Sequence, residues 1–255
     1  MFQILLHILI FLLPVPAEII LSSTGIEPTI PVHRKEVKSS INSAELNRIL
    51  TERKASRFVL GRSKKGREVE AYYFPGASNL RALVIGGMHG SELSSIEVAR
   101  ELLKRLQGDS VFYEVIVIPT LFPDNAELAR QFRASIGDVK NIGRYSYPGA
   151  IDPNRQMPTP GKAFCETPGL DHAGRPIELE NKFLLDLIQQ FRPHRIANLH
   201  AIRNAASAGV FADPRTDHQS IALGYESDSN LAITLAKSIH EMGGLVPGNK
   251  LDSAP

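Results

Sequence analysis

Two residues three positions apart, His89 and Glu92, are the side chains in this sequence best suited to metal chemistry. Zinc accepts imidazole nitrogens and carboxylate oxygens, and catalytic zinc commonly takes two histidines and one glutamate while a fourth position stays open. The pair alone has a second interpretation, a surface histidine beside a glutamate that stabilises the start of a helix through the helix dipole. The rest of the chain must decide between them.

The segment around this pair predicts a strand, a sharp turn and a helix. The apolar run 82–85 is typical of a buried strand, and Gly86-Gly87 interrupt it. His89 and Glu92 therefore lie where a strand ends and a helix begins, the usual place for a site in an open α/β sheet. Apolar residues at helical spacing mark the helix: Leu93, Ile96, Ala99, Leu103 and Leu106.

A second histidine, His200, ends the predicted strand 195–200. The carboxyl ends of parallel strands gather at one edge of a sheet, so we expect His200 to lie near His89 and Glu92. This predicts a third metal ligand. The alternative is a histidine at the end of a strand whose ring is satisfied by backbone groups.

The remaining pattern predicts an α/β fold with a mostly parallel, mixed and twisted sheet and helices on both faces. The long stretch 120–174, dense in proline and glycine, is interpreted as irregular and either functional or disordered. The other predicted elements are a helix from Ser43 to Lys54, two strands within 56–74 joined by the turn 63–66, a strand at 114–119, and helices at 179–191 and 229–242.

Composition narrows the class of protein. The 255 residues carry a net charge of +2 and no dense basic cluster, so nucleic acid is not an expected partner. The single cysteine, Cys165, excludes an internal disulfide framework, and its place in a loop rich in proline and glycine favours a structural role.

The first 17 residues resemble an export signal. Residues 4–13 are apolar apart from one histidine, and Pro14-Val15-Pro16-Ala17 is similar to a cleavage site, although lysine and arginine are missing from the start. The alternative is an uncleaved anchor. We therefore expect a signal peptide at 1–17, a linker or extended arm at 18–43 and a catalytic domain at 44–255, secreted or periplasmic, without a stable membrane span.

Several stretches in a fixed order resemble the zinc carboxypeptidase family, including its murein peptide amidase-like members. The matches cover roughly residues 45–215. They are the turn Gly61-Arg62-Ser63-Lys64-Lys65-Gly66-Arg67, the first zinc motif His89-Gly90-Ser91-Glu92, Phe122-Pro123-Asp124-Asn125 with its first and last residues changed, the carboxylate-binding motif Ile151-Asp152-Pro153-Asn154-Arg155, and Leu199-His200.

The resemblance implies one Zn²⁺ per chain, held by His89, Glu92 and His200, with a water in the open position. Zinc lowers the pKa of such a water towards neutrality and polarises the carbonyl to be attacked. The implied reaction is hydrolysis of a carboxy-terminal peptide or amide bond, and an exported member is similar to those that act on cell-wall peptides.

The resemblance also implies roles for the carboxylate-binding motif. Arg155 would bind the terminal carboxylate of a peptide or small amide through two parallel hydrogen bonds, assisted by Asn154. Asp152 would accept a hydrogen bond from the outer nitrogen of His89 and orient the ring. The spacing by itself is also compatible with a plain Asp-Pro turn.

An upstream arginine is implied to stabilise the oxyanion of the tetrahedral intermediate. Arg133 is the most similar in context and is the predicted catalytic residue, with Arg130 and Arg144 as alternatives.

The glutamate that serves the family as general base has no clear counterpart. Glu226 and Glu241 fit its context poorly, so we expect a chain that lacks its last strands or, alternatively, a zinc-containing pseudoenzyme that binds peptides with a free carboxylate. A further alternative is a deacylase of N-acyl amino acids similar to aspartoacylase and succinylglutamate desuccinylase. Those proteins are cytosolic, and the predicted signal peptide argues against that assignment.

Overall fold

The computed structural model describes residues 7–11, 41–108, 110–158, 169–202, 204–213 and 225–251. Cys165, most of the predicted signal peptide and most of the predicted linker lie outside these ranges. The described part contains seven strands, β1 (His7–Phe11), β2 (Ser56–Arg62), β3 (Glu68–Phe74), β4 (Arg81–Ile85), β5 (Glu114–Ile118), β6 (Arg195–His200) and β7 (Val210–Ala212). It also contains five helices, α1 (Ser43–Glu52), α2 (Leu93–Leu106), α3 (Pro123–Gln131), α4 (Leu179–Phe191) and α5 (Tyr225–Glu241).

The strands form one mixed sheet in the order β2-β3-β5-β4-β6-β1-β7. Parallel pairing joins β5, β4 and β6 at the centre, and also β1 with β7. The other neighbours are antiparallel. The predicted α/β fold with a mixed sheet is confirmed. Because β4 and β6 run parallel side by side, the residues that follow them meet at one edge of the sheet.

Helices cover both faces of the sheet. On one face, α1 and α4 pack against alternate residues of the strands in the largest cluster of buried apolar side chains. On the other face, α2 packs against β5 and β6, and α5 packs against β7. Strand β5 is buried along its whole length, which explains the unbroken apolar run at 115–118.

Local sequence accounts for most of these elements. Helix α1 begins after Asn42, whose side chain accepts a hydrogen bond from the backbone N–H of Glu45 at 3.1 Å. It ends at Arg53 in the left-handed conformation. In β3 the buried residues Val69, Ala71 and Tyr73 alternate with less buried ones, as a strand with one core face requires.

Helix α3 and strand β7 differ from the sequence-based expectation, as does strand β1. Helix α3 lies within 120–174, which was expected to be irregular, and this part of the prediction was wrong. Its buried face carries the small residues Ala126 and Ala129 and the polar Asn125, so no strong apolar period marks it. Strand β7, only three residues long, was also not predicted.

Strand β1 comes from the middle of the predicted signal peptide. It lies between β6 and β7, with His7 opposite His200 in the antiparallel register. Strand β1 consists of residues that cleavage near Ala17 would remove. The pairing does not test that cleavage, which stays a prediction. Within the described ranges, no helix has the length and apolar character needed to cross a membrane.

Candidate metal centre

The turn between β4 and α2 places His89 and Glu92 in the protein interior. Gly87 takes a positive φ of 63°, a conformation that side chains disfavour. Gly90 lies so close to α3 that an added Cβ would come within 2.2 Å of the backbone carbonyl carbon of Asn125. The glycines therefore let the turn fold tightly against its neighbours.

His89, Glu92 and His200 converge as the sequence predicts. Nδ1 of His89 lies 2.9 Å from Oε1 of Glu92, and Nδ1 of His200 lies 2.8 Å from Oε2 of the same carboxylate. His89 is 2% exposed and Glu92 is 6% exposed. A ligand atom from each of the three residues lies within 4.8 Å of the others, and in the described part of the chain only these three form such a group.

The electrostatics of this group favour an ionised carboxylate. Burial by itself would raise the pKa of Glu92, but hydrogen bonds from His200 and His89 outweigh burial and hold that pKa well below its usual range. Burial would lower the pKa of His89, yet its hydrogen bonds with Asp152 and Glu92 outweigh burial and raise it. In the metal-free cluster these contacts therefore favour the charged form of both Glu92 and His89.

The donor atoms fit a zinc-type ion. In both histidines Nδ1 faces Glu92, while Nε2 is engaged on the opposite side by Asp152 or Asn154. Two imidazole nitrogens and a carboxylate thus point at one another with their outer atoms already held, as in catalytic zinc sites. The geometry fits a metal, and the histidines would coordinate it through Nδ1.

The predicted carboxylate-binding motif lies directly beside these ligands. Asp152 Oδ1 is 2.9 Å from Nε2 of His89 and also accepts the backbone N–H of Asn154 at 2.9 Å. Burial would raise the pKa of Asp152, but the hydrogen bond from His89 outweighs it and lowers the pKa to about 2. Nδ2 of Asn154 lies 3.1 Å from Nε2 of His200. Arg155 is exposed at the end of the same 3-10 turn.

Solved structures resemble this arrangement of strands, helices and loops. Bovine thrombin-activatable fibrinolysis inhibitor, in complex with tick carboxypeptidase inhibitor, superposes with a TM-score of 0.50 at 16% identity over 81% of this chain and 78% of that one. Carboxypeptidase A from Helicoverpa armigera gives 0.52 at 15% identity, over 78% and 52%. The chain has a zinc carboxypeptidase-like fold.

Other comparisons are weaker. An aspartoacylase family protein from Mesorhizobium loti matches with a TM-score of 0.34 at 17% identity over 53% of this chain. This chain spans only 35% of that protein's length. No protein-family model and no curated protein sequence matches the chain.

Within this zinc carboxypeptidase-like fold the three candidate arginines are in different places. Arg144 lies beside the candidate metal ligands, with Nη1 2.8 Å from Oε1 of Glu92. Its Nε donates to the hydroxyl of Tyr145 at 3.2 Å, and the rings of Tyr145 and His89 make a T-shaped contact with their centroids 6.1 Å apart. Arg133, the predicted residue, is exposed in a 3-10 turn after α3, and Arg130 pairs loosely with Glu127.

The two glutamates considered for the general base lie on α5. Glu226 is in its first turn and Glu241 at its last residue, and both are exposed. The described residues therefore leave the base unassigned.

Buried amides support the predicted carboxylate-binding turn, and sequence reasoning missed them. Asn181 of α4 donates to the backbone carbonyl of Pro153 at 2.9 Å. Gln156, 1% exposed, accepts the backbone N–H of Glu178 at 2.8 Å. Asn181 lies within the apolar helical pattern of α4, and Gln156 directly follows the motif 151–155. A buried polar residue of this kind leaves no pattern that separates it from a surface one.

A further contact joins two of the family-like stretches. Asp124, in the first turn of α3, accepts hydrogen bonds from the backbone N–H of Lys65 and from Nη1 of Arg67, both at 3.0 Å. The hairpin turn between β2 and β3 is thereby attached to the helix that packs against Gly90.

Proposed function

We propose that this protein is a zinc-dependent hydrolase of carboxypeptidase type, which cleaves a carboxy-terminal peptide or amide bond. One observation carries the proposal: the buried His89–Glu92–His200 group is hydrogen-bonded, through Asp152 and Asn154, to the turn that ends in Arg155. A metal-binding group and a carboxylate-binding turn that share contacts suit a substrate whose reacting carbonyl is close to its free carboxylate.

Each residue has a task that follows from its position. His89, Glu92 and His200 would hold Zn²⁺, which when bound supplies an acidic water and polarises the substrate carbonyl. Asp152 fixes the orientation of the His89 ring by accepting its Nε2–H. Arg155 is exposed and its planar guanidinium can bind a carboxylate through two parallel hydrogen bonds.

Arg144 is the arginine best placed to stabilise an oxyanion. Its guanidinium contacts Glu92, so its charge lies where negative charge develops on the attacked carbonyl oxygen. Burial would lower the pKa of Arg144, but hydrogen bonding to Tyr145 and the charge of Glu92 outweigh it and raise that pKa, so the side chain stays charged. We assign this role to Arg144 in preference to Arg133.

A binding protein without turnover is the second candidate. The observation that favours it is the exposure of Glu226 and Glu241, which lie on the helix that packs against β7, whereas a general base must reach the attacking water. The loss of a general base typically costs about two to four orders of magnitude in rate, while metal and carboxylate binding persist.

The test combines zinc content with a substrate panel. The panel pairs peptides that have a free terminal carboxylate with their carboxamides, and adds N-acyl amino acids and cell-wall peptides. We expect about one zinc per chain, lost in His89→Ala and retained in the matched His240→Ala on α5. Hydrolysis restricted to free carboxylates supports the hydrolase, zinc and carboxylate binding without turnover supports the binding protein, and an absence of zinc overturns both.

Cleavage restricted to N-acyl amino acids would instead support the deacylase. The predicted signal peptide makes export part of the proposal, and amino-terminal sequencing of the secreted protein tests it. A mature chain that starts near residue 18 is expected.

A further inference from the structure

Asn198 is a buried amide directly beneath the candidate site. It lies in β6 two residues before His200, and alternation along the strand places both residues on the same face of the sheet. It is 2% exposed. Its Nδ2 donates to Oδ1 of Asn154 at 3.3 Å, while its Oδ1 has no hydrogen-bond partner among the described atoms.

Asn154 connects Asn198 to a metal ligand. Its Nδ2 lies 3.1 Å from Nε2 of His200 and its Oδ1 faces Asn198. The three side chains therefore form a chain of hydrogen bonds that runs from the metal ligand into the core. A buried amide is restricted to the orientations that its neighbours allow.

The direction of these hydrogen bonds depends on which ring nitrogen of His200 carries the hydrogen. Here Nδ1 donates to the carboxylate of Glu92, so Nε2 accepts from the Asn154 amide. With a metal on Nδ1, the hydrogen is on Nε2, and Asn154 must present its oxygen to the ring. The Asn154 NH₂ group then faces Asn198, which must offer an oxygen in place of its own NH₂.

Asn198 can make this change without a net loss of hydrogen bonds. Its oxygen holds no hydrogen bond here, so turning the amide replaces the bond donated by Nδ2 with one accepted by Oδ1, and one atom of the amide is without a partner in either orientation. An amide is also the kind of side chain that can donate in one state and accept in the other. A purely apolar residue here would leave the Asn154 NH₂ group buried without a partner.

We propose that Asn198 is a positioning residue for this site: it accepts a hydrogen bond from the Asn154 amide in the metal-bound protein. The Asn154 oxygen then faces His200, and its second N–H is available to the substrate carboxylate. The inference rests on the proposed function and deepens it, because it links metal binding to the recognition of a free carboxylate.

The test compares Asn198→Leu with Asn181→Leu. Leucine has the same number and branching of side-chain heavy atoms as asparagine and removes the polar contact, although its methyl groups are larger. Asn181 is also fully buried and supports the same turn, but through Pro153 and Gln156 instead of the Asn154 side chain. Three quantities are measured: zinc affinity against a chromophoric chelator, the ratio of affinities for N-acetyl-leucine and N-acetyl-leucinamide in the zinc-loaded protein, and Tm.

We expect Asn198→Leu to weaken zinc binding about tenfold, the lower end of the usual effect for a residue behind a metal ligand. The acid-to-amide ratio should fall as well. Asn181→Leu should lower Tm and leave zinc affinity within about twofold of wild type, since it does not touch Asn154. Asn198→Asp, which can accept but not donate, should keep zinc affinity near the wild-type value.

Two results would overturn the role of Asn198 alone: wild-type zinc affinity and discrimination in Asn198→Leu, or an equal loss of zinc affinity in Asn181→Leu. A wild-type protein that binds no zinc, or that binds acid and amide equally, would instead overturn the proposed function on which this inference rests.

Discussion

Nε2 of His89 and Oδ1 of Asp152 lie 2.9 Å apart, while Nδ1 of the same ring faces Glu92. The two carboxylates hold the ring from opposite sides, so its orientation is set before any metal arrives. Removing the carboxylate of Asp152 should therefore affect metal binding in two ways. It should change how the His89 ring is oriented, and it should change how tightly that ring holds the proton that competes with the metal.

Asp152→Asn should weaken zinc binding by about tenfold or more, as expected for a partner behind a metal ligand. Metal binding requires Nδ1 of His89 without its proton, and the pKa of His89 is raised above its ordinary value. Apparent affinity should therefore fall as pH drops through neutrality in the wild type. In Asp152→Asn the pKa of His89 is lower, so the fall begins at lower pH.

Zinc titrations between about pH 5 and 8, the range that brackets the ordinary pKa of histidine, measure both effects. Asp171→Asn is the control. Asp171 is a buried carboxylate held by Arg175 and by backbone N–H groups of its own turn, so this change should lower Tm without altering zinc affinity. An unchanged pH profile in Asp152→Asn would contradict the assigned role.

The two arginines can be separated by a tetrahedral mimic. Arg144→Met should weaken binding of a phosphonate peptide analogue to the zinc-loaded protein by about a hundredfold, since one oxyanion donor is typically worth that much. Arg133→Met should change it less than about twofold, because Arg133 is exposed beyond α3. Calorimetry measures binding of the analogue to both variants. A larger loss of affinity in Arg133→Met than in Arg144→Met would restore Arg133 as the oxyanion residue.

Gly90 should tolerate no side chain. In Gly90→Ala the new Cβ would lie 2.2 Å from the backbone of Asn125, so α3 must move away from the turn that carries His89 and Glu92. We expect the free energy of unfolding to fall by about 1–3 kcal/mol, the usual cost of overpacking. Gly108→Ala is the matched change, because its nearest atom is 3.9 Å away, and it should leave Tm unchanged.

Glu180, in the first turn of α4, should make stability depend on pH. Burial, together with the charges of Glu178 and Asp124, raises its pKa. A carboxyl group whose pKa is raised on folding contributes stability that is present below its unfolded pKa and is lost as pH rises through the folded value. Glu180→Gln should thus raise Tm by a few °C at pH 7, with the difference vanishing near pH 4.

Thermal unfolding at the two pH values tests this. Glu226→Gln, an exposed glutamate in the first turn of α5, controls for the loss of a favourable charge at a helix start. If Glu180→Gln and Glu226→Gln give the same pH dependence, the burial of Glu180 is not the cause.

The sequence by itself determined the candidate metal ligands and the elements that carry them. His89 and Glu92 follow an apolar strand and precede an amphipathic helix, and His200 ends another strand, so their convergence follows from parallel pairing of β4 and β6. These patterns are readable because strand and helix periods arise from neighbours two to four positions apart. Helix α3 was not predicted because the residues on its buried face are small or polar and give no apolar period.

Only the tertiary structure decided which arginine accompanies the metal ligands and which amides support them. Residues 132–150 follow no helical or strand period, so their path depends on packing between distant segments. That path brings Arg144 to Glu92 and leaves Arg133 in solvent. The contact between Asn198 and Asn154 could not be predicted from the sequence either. The two residues are 44 positions apart, and their contact depends on how the loop packs over the sheet.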